Sequence, residues 1–544
     1  MFNLRPVTVF TSLRPFPNLF VFYFLIINTH KSTITMPTSL DLVGKESWRQ
    51  RSELEKMADL PPELEKELDR LDNEFWVSRD KLKEIVKRFQ EELEDGLRKH
   101  GQNISMNLSW VLSMPTGDEK GTFLALDLGG TNLRVCIVEL HGKEGKEGKR
   151  HTLTQEQYKL DPKIKESTTE DLWNHVADTL QTFLSSKGLD KQYTPDSPMP
   201  LAFTFSYPAL QDRIDHGKLV TWTKGFDISG VEGHDVAAQL RAKIEDRGLP
   251  IDLVCLANDT VGAMIASAYN DPATIIGAIF GTGCNAAYME ELSKSSIPKA
   301  RLSDDDWKLA EKEALKMAIN CEYGAFDNER RVLPVTKYDE QIDRESPRPG
   351  EQGFEKLSAG LYLGEIFRLI LVDLVDRNLV FKDQDVSQLQ KPYTLDTGFL
   401  SEIEDDETPR FEKTRALFKE KLGLEPRDEE IELSRRLAEL IAVRGARLCA
   451  CGIAAICLNS SLESGHVAAD GSVANKHPKF KKRWAKALGE VLDWEDREKA
   501  SHAQDNEGPI KLTSAEDGSG VGVAVIAAMT VERRERGNFI GLRR

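Results

Sequence analysis

The sequence predicts an α/β protein made of two related lobes that face each other across a central cleft. Three observations carry that expectation. A chain of 544 residues exceeds what one hydrophobic core usually supports. Between residues 172 and 257, short apolar runs alternate with stretches of helical periodicity, the pattern of strands interleaved with helices. A strand, a Gly/Thr turn and a second strand are predicted at 123–140 and again at 274–289, so each lobe offers one glycine hairpin to a shared ligand.

In chain order, residues 1–36 form an extension. Its apolar run from Leu19 to Ile27, preceded by Arg5 and Arg14, is far shorter than the ~20 residues of a membrane-spanning helix. No small-x-small cleavage pattern follows. The expectation is a translation start at Met36, with a membrane-docking tail as the alternative and a secretory signal last. Residues 37–115 are expected to be helices packed on the large lobe, because Leu82, Ile85, Val86, Phe89 and Leu93 recur at helical spacing between Leu60 and His100. The small lobe, 116–258, opens with the hairpin 123–128 and 133–140 around Gly129 and Gly130, followed by a solvated loop at 141–150. A helix at 172–184, a strand at 201–205, a helix at 236–244 and a strand at 253–257 complete it. The large lobe, 259–520, repeats the hairpin around 281–285 and is otherwise mostly helical, at 357–380, 433–458 and 480–491. Glycine turns at 470–472 and 517–520 interrupt those helices. The second turn opens onto a small-residue helix at 521–529 whose first amides suit an anion, and the segment 521–544 returns to the small lobe.

Composition narrows the function. A formal charge of −16 excludes tight non-specific binding to nucleic acid, which depends on Lys and Arg neutralising phosphates. An acidic chain that binds an anion must concentrate positive potential locally. The 7 cysteines lie scattered in apolar stretches with no C-x-x-C pair, so buried free thiols are expected rather than disulfides or a zinc site. The G-x-x-x-x-G-K-[ST] loop and the H-R-D with D-F-G set are absent, which excludes P-loop and protein-kinase frameworks. Gly518-x-Gly520-x-Gly522 lacks the spacing of a dinucleotide fingerprint and is expected to follow no strand.

Two segments carry chemistry of their own. In Asp127-Leu-Gly-Gly-Thr-Asn132 the glycines let backbone N–H groups approach phosphate oxygens, Thr131 and Asn132 add side-chain donors, and Asp127 offers a hard oxygen to hydrated magnesium. Asp259 follows the run Leu253–Ala257 and so falls at a strand's carboxyl end, where α/β sheets hold ligands. By the residues alone it also reads as the cap of a helix from Thr260 onward.

With those residues in view, the chain resembles the hexokinase family of eukaryotic, fungal type, within the superfamily of sugar kinases, heat-shock chaperone ATPases and actin. Segment 127–132 resembles its first phosphate motif, and Leu201-Ala-Phe-Thr-Phe-Ser-Tyr-Pro208 with Trp222-Thr-Lys-Gly-Phe226 its sugar segments. Asn258-Asp-Thr260 is similar to the catalytic triplet, Gly281-Thr-Gly283 with Asn285 to the second phosphate turn, and Asn320-Cys-Glu-Tyr-Gly324 to a hexose-binding loop. The resemblance runs in family order from residue 70 to 535. It implies a two-lobed actin-like ATPase (ribonuclease H-like) fold, with transfer of the γ-phosphoryl group of ATP to the 6-hydroxyl of glucose and related hexoses, the first step of glycolysis. It further implies ATP and Mg2+, the metal held by Asp127 through water. Ser206, Thr223, Lys224, Asn258, Asp259, Asn285, Glu322 and Glu355 would surround the sugar, with Asp259 as catalytic base and Lys224 stabilising charge. Gly129, Gly130, Thr131, Asn132, Arg134, Thr282 and Gly283 would meet phosphates, Thr397 and Ser401 the triphosphate from a loop, and Asp470, Gly471 and Ser472 the adenosine.

Sugar ligands from both halves would draw the lobes together and shut out water, which competes for the same phosphorus. Glu351 stands where the family typically has a second Gln, and Ala474 where it often has Tyr. A monomer or homodimer is expected, cytoplasmic, with mitochondrial-surface association as the alternative and membrane contact only through residues 1–35. The rival readings are a catalytically silent glucose sensor and an actin-like ATPase acting on proteins.

Overall fold

The computed structural model describes residues 58–145, 149–223, 225–494 and 508–543. The extension 1–36 with its start-site and tail expectations, and Lys224, lie outside the described residues. Helices α1 (Pro62–Phe75) and α2 (Arg79–Arg98) come first, as the periodicity predicts. Their buried edges, including Leu82, Ile85, Phe89 and Leu93, pack on the helices of the large lobe.

The strands are β1 (Asn107–Leu108), β2 (Lys120–Leu128), β3 (Asn132–His141), β4 (His151–Lys159), β5 (Met199–Phe205), β6 (Ala209–Leu210), β7 (Lys218–Leu219) and β8 (Ile251–Ala257), then β9 (Thr274–Phe280), β10 (Cys284–Glu291), β11 (Lys316–Asn320), β12 (Gly465–Asp470) and β13 (Ile510–Ser514). The small-lobe sheet runs β4-β3-β2-β5-β8, antiparallel through β4-β3-β2 and parallel from β2 to β8. The large-lobe sheet runs β11-β10-β9-β12-β13 with the same change from antiparallel to parallel, and β1 adds to its outer edge. The two hairpins read from the sequence are therefore the leading parts of one topology used twice.

The middle strands are apolar on both faces because both are covered. On β2, Leu124, Leu126 and Leu128 enter the core beneath α3 (Thr169–Lys187) and α4 (Val236–Asp246), while Phe123 and Ala125 enter a core shared by the two lobes. Helix α5 (Asp259–Asn270) lies in that shared core. Small residues Gly262, Ala263, Ala266 and Ser267 are buried along it beside Met264 and Ile265, and it crosses the large-lobe sheet at Gly277, where a Cβ would stand 2.7 Å from the Thr260 carbonyl oxygen. Backbone meets backbone there, so only glycine fits.

Several expectations are corrected. The helix expected over 357–380 is two, α6 (Gly353–Ser358) and α7 (Gly360–Asp376), because the chain extends at Ala359 so that Gly360 N can donate to the Gly281 carbonyl at 2.7 Å. Tertiary contact overrides a continuous helical pattern at that point. Thr397 and Ser401 sit on helix α8 (Thr397–Glu404), not in a loop; Asp396 caps it by accepting from Phe399 N. β13 precedes the Gly518 turn, where no strand was expected. Helix α9 (Asp428–Asn459) is long and apolar enough to cross a membrane by composition, but it is buried within the large lobe. Helices α10 (Phe480–Val491) and α11 (Val523–Glu535) follow, the latter packed on β2, β5 and β8 of the small lobe. All seven thiols are buried and free.

Candidate active site

The carboxyl end of β8 delivers Asn258 and Asp259 to the start of α5. Asn258 takes the cap position, its Oδ1 accepting from Thr260 N at 2.8 Å. Asp259 is thereby relieved of capping, and among the described residues its half-exposed carboxylate accepts from the Thr260 hydroxyl at 3.2 Å. Thr260 itself is fully buried.

From Thr260 a chain of amides and carboxylates runs into the large lobe. Asn285 Nδ2 donates to Thr260 Oγ1 at 3.1 Å and to Asn320 Oδ1 at 2.7 Å, and Asn320 Nδ2 donates to Glu322 Oε1 at 2.8 Å. Glu322 N donates back to Asn285 Oδ1 at 2.9 Å. That bond holds Glu322 at φ +55°, a left-handed backbone that a non-glycine residue adopts only under surrounding constraint. Asn320 and Thr260 stand inside motifs the sequence displays, but residue type alone gives neither a role there.

Glu355 reaches the same region from α6. Its Oε2 accepts from Cys284 N at 3.1 Å, and Gly283 makes room for it: a Cβ there would lie 2.6 Å from that oxygen. Burial pushes the Glu355 carboxyl above the ordinary range, against the opposing pull of the Cys284 amide and Lys356. The small lobe contributes half-buried Ser206, directly after β5, and half-buried Thr223. Beneath Thr223 the Trp222 and Phe226 rings stack at 5.0 Å, and Tyr207 meets both edge-on, its hydroxyl donating to the Gly129 carbonyl at 3.1 Å.

In the small lobe, Gly129 N donates to the Asn132 carbonyl at 3.0 Å, which closes the first turn and leaves Thr131 and Asn132 exposed at its tip, with Gly130 half-buried between. Asp127, half-buried near the end of β2, pairs across the hairpin with Arg134 in the strand register. The Arg134 guanidinium turns to the second glycine-rich turn, meeting Asp517 at 2.6 Å and the Ser519 hydroxyl at 2.9 Å.

The large-lobe turn closes likewise, Gly281 N to the Gly283 carbonyl at 3.0 Å, with Thr282 exposed. Three elements converge on it. Gly360 begins α7 there; the Thr397 hydroxyl donates to the Gly360 carbonyl; and Gly471, at φ +112°, lies against Phe280 and Gly281 so closely that a Cβ would stand 2.4 Å from the Phe280 oxygen. Ser401, one turn along α8, donates to the Thr397 carbonyl at 3.2 Å. Exposed Asp470 accepts from Gly471 N at 2.6 Å, and exposed Ser472 starts the short helix Ser472–Lys476. Ala474 is buried in that helix, and Glu351 stands 3.6 Å from Arg348.

Two sequence models, both described as hexokinase, match residues 67–269 and 275–529. The chain belongs to the hexokinase family. A hexokinase of Emericella nidulans is 49% identical over 507 residues, covering 92% of this chain and 98% of that one. Hexokinase-1 of Saccharomyces cerevisiae is 47% identical over 489 residues, covering 89% and 96%. Among structures, the hexokinase of Schistosoma mansoni complexed with glucose superposes with a TM-score of 0.72 at 32% identity, over 86% of this chain and 99% of that one. The two-lobed architecture is thus the hexokinase architecture.

Proposed function

We propose that this hexokinase transfers the γ-phosphoryl group of ATP to the 6-hydroxyl of glucose and related hexoses, with Asp259 as the base. That the chain is a hexose-phosphorylating kinase follows from its family. The observation that carries the finer reading is the placement of Asp259: uncommitted to capping, at a strand's carboxyl end, and joined through Thr260 to the polar chain Asn285, Asn320 and Glu322. Amides and carboxylates suit a polyol, because each hydroxyl can be matched by an acceptor and a donor, and a sugar lacking one leaves a buried group unpaired.

Asp259 accepts the hydrogen of the attacking hydroxyl, holds its oxygen in line with the γ-phosphorus, and takes the proton as the new O–P bond forms and ADP leaves. The glycine turns at Gly129 and Gly283, with Thr131 and Thr282, offer N–H and hydroxyl donors to phosphate oxygens. Lys224 is assigned to charge on the transferred group by resemblance alone. Asp127 is a hard oxygen donor near the end of β2 beside the first turn, a donor type that suits magnesium and would hold it through water. When bound, the ion neutralises phosphate charge. Sugar ligands on both lobes draw the lobes together and exclude water. The free thiols fit a cytoplasmic enzyme.

Steady-state assay of the purified chain with glucose, fructose and mannose tests the reading. Glucose turnover with kcat on the order of 1–10^3 s⁻¹ is expected. No turnover of any of the three overturns it. The same assay carries a pH prediction. Because burial raises the Glu355 carboxyl, it protonates while pH is still above the ordinary glutamate value of ~4.3, and it then loses its charge and turns one acceptor oxygen into a donor, which weakens its hold on a sugar hydroxyl. KM for glucose is expected to rise as pH falls toward that range, and Glu355→Gln to flatten the acid limb. An unchanged limb in the variant assigns it elsewhere.

A further inference from the structure

One side chain leaves the large lobe at the mouth of the cleft and touches the small lobe. It belongs to Arg348, in the loop between the helix Lys337–Glu345 and α6. Arg348 Nη2 donates to Thr221 Oγ1 at 2.8 Å and to the Trp222 carbonyl oxygen at 3.3 Å. Its other terminal nitrogen stands 3.6 Å from Glu351 on its own loop.

Both ends of this contact are fixed. Buried Lys356, the neighbour of Glu355 on α6, donates through Nζ to the Arg348 carbonyl at 2.8 Å and to Asp343 at 2.6 Å. Asp343 in turn accepts from Gly350 N at 3.0 Å and pairs with Arg330. The loop beneath Arg348 is therefore tied to the helix that carries a sugar carboxylate. On the far side, Trp222 N donates to Glu232 at 2.6 Å and its indole N–H to the Ile228 carbonyl at 3.1 Å, while the ring is clamped by Phe226 and Tyr207. Tyr207 continues the path to Gly129 of the first phosphate turn.

We propose that Arg348 is a positioning residue for hexose phosphorylation: it fixes the spacing of the two lobes at the sugar end of the cleft by holding the segment Thr221–Thr223 against the Glu355 helix. The inference rests on the hexokinase reading. An exposed guanidinium bond is ordinarily worth little, because ordering two long side chains costs what the bond returns. Here that ordering is largely complete beforehand. One partner is a backbone carbonyl and a short threonine hydroxyl on a rigid aromatic cluster, and Glu351 already orients the guanidinium from its own side. The contact therefore acts on lobe spacing, and its loss falls on the ligand that needs both lobes at once. That ligand is the sugar, served by Ser206 and Thr223 on one side and by Glu322 and Glu355 on the other. Most residues assigned to ATP lie farther along these paths, on the two turns and on α8: the contact reaches the first turn through Tyr207 and the second through Glu355 and the Cys284 amide.

The test is kinetics of the full chain with Arg348→Ala and Arg348→Lys beside wild type, with thermal melting as control. Arg348→Ala is expected to raise KM for glucose about tenfold, with KM for ATP and kcat changing less than threefold and the melting temperature held, since the side chain is exposed. Arg348→Lys, which keeps a donor, falls between. A glucose KM within twofold of wild type overturns the proposal, as does a parallel rise of both KM values with a lowered melting temperature. Failure of wild type to phosphorylate glucose sinks the hexokinase reading instead, so the two failures are distinct.

Discussion

Asp259→Asn is expected to lower kcat for glucose phosphorylation by about 10^3-fold, within the 10^2–10^4 range that a positioned acid or base supplies. KM for glucose changes far less. The asymmetry follows from the geometry. Asn258, not Asp259, satisfies the helix start, and the Thr260 hydroxyl can keep its partner in the amide that replaces the carboxylate. The Asn285, Asn320 and Glu322 chain does not pass through the Asp259 side chain, so the pocket proposed for the sugar stays assembled. What disappears is the acceptor for the proton leaving the hydroxyl. Asp259→Ala should be at least as severe. A coupled assay of ADP release with glucose as acceptor reads both variants. Retention of more than a tenth of wild-type kcat by either would remove Asp259 from the role of base.

How much of this was readable beforehand follows from where information is local. The hairpins are legible because the middles of their strands are largely buried and apolar, and because their turns demand glycine. β4 was not: as the edge of the small-lobe sheet it exposes residues on both faces, and its polar sequence reads as loop. β12 and β13 are short and built partly of small or polar residues, so the pairing of β12 with β9 and of β13 with β12 leaves no periodic signature. The break at Ala359 depends on a carbonyl nearly eighty residues upstream, and no local propensity encodes it.

The site divides the same way. Asp127 and the first glycine turn suit phosphate chemistry by residue type alone. Asp259 reads from the residues as either a base or a helix cap, and the structure gives the cap to Asn258. Glu355 and Glu322, single carboxylates among ordinary residues, were reachable only through resemblance, and Asn320 became part of the site only once its bonds to Asn285 and Glu322 were visible.

The glycine-rich turn at 518–522 makes the second large prediction, and it separates two glycines that look alike in sequence. A Cβ on Gly518 would stand 2.4 Å from Ala263 N and 2.9 Å from the Asp259 carbonyl oxygen, backbone atoms of the helix that presents the base. Neither can move alone, so Gly518→Ala must shift the first turn of α5. Displacement of a reacting group by about 1 Å costs on the order of 10^2-fold in rate, and a fall in kcat of that size is expected, with overpacking lowering stability by about 1–3 kcal/mol. On Gly520 the Cβ would meet Asp517 Oδ2 at 2.7 Å and Arg134 Nη2 at 2.9 Å, the far ends of two side chains that can rotate aside. Gly520→Ala should therefore cost less than tenfold in kcat, chiefly by loosening the Arg134–Asp517 pair. Denaturation midpoints and kcat for the two variants, measured side by side, decide it. Equal effects would mean that the turn tolerates or rejects bulk as a whole, and that its contact with the Asp259 backbone does not set the position of the base.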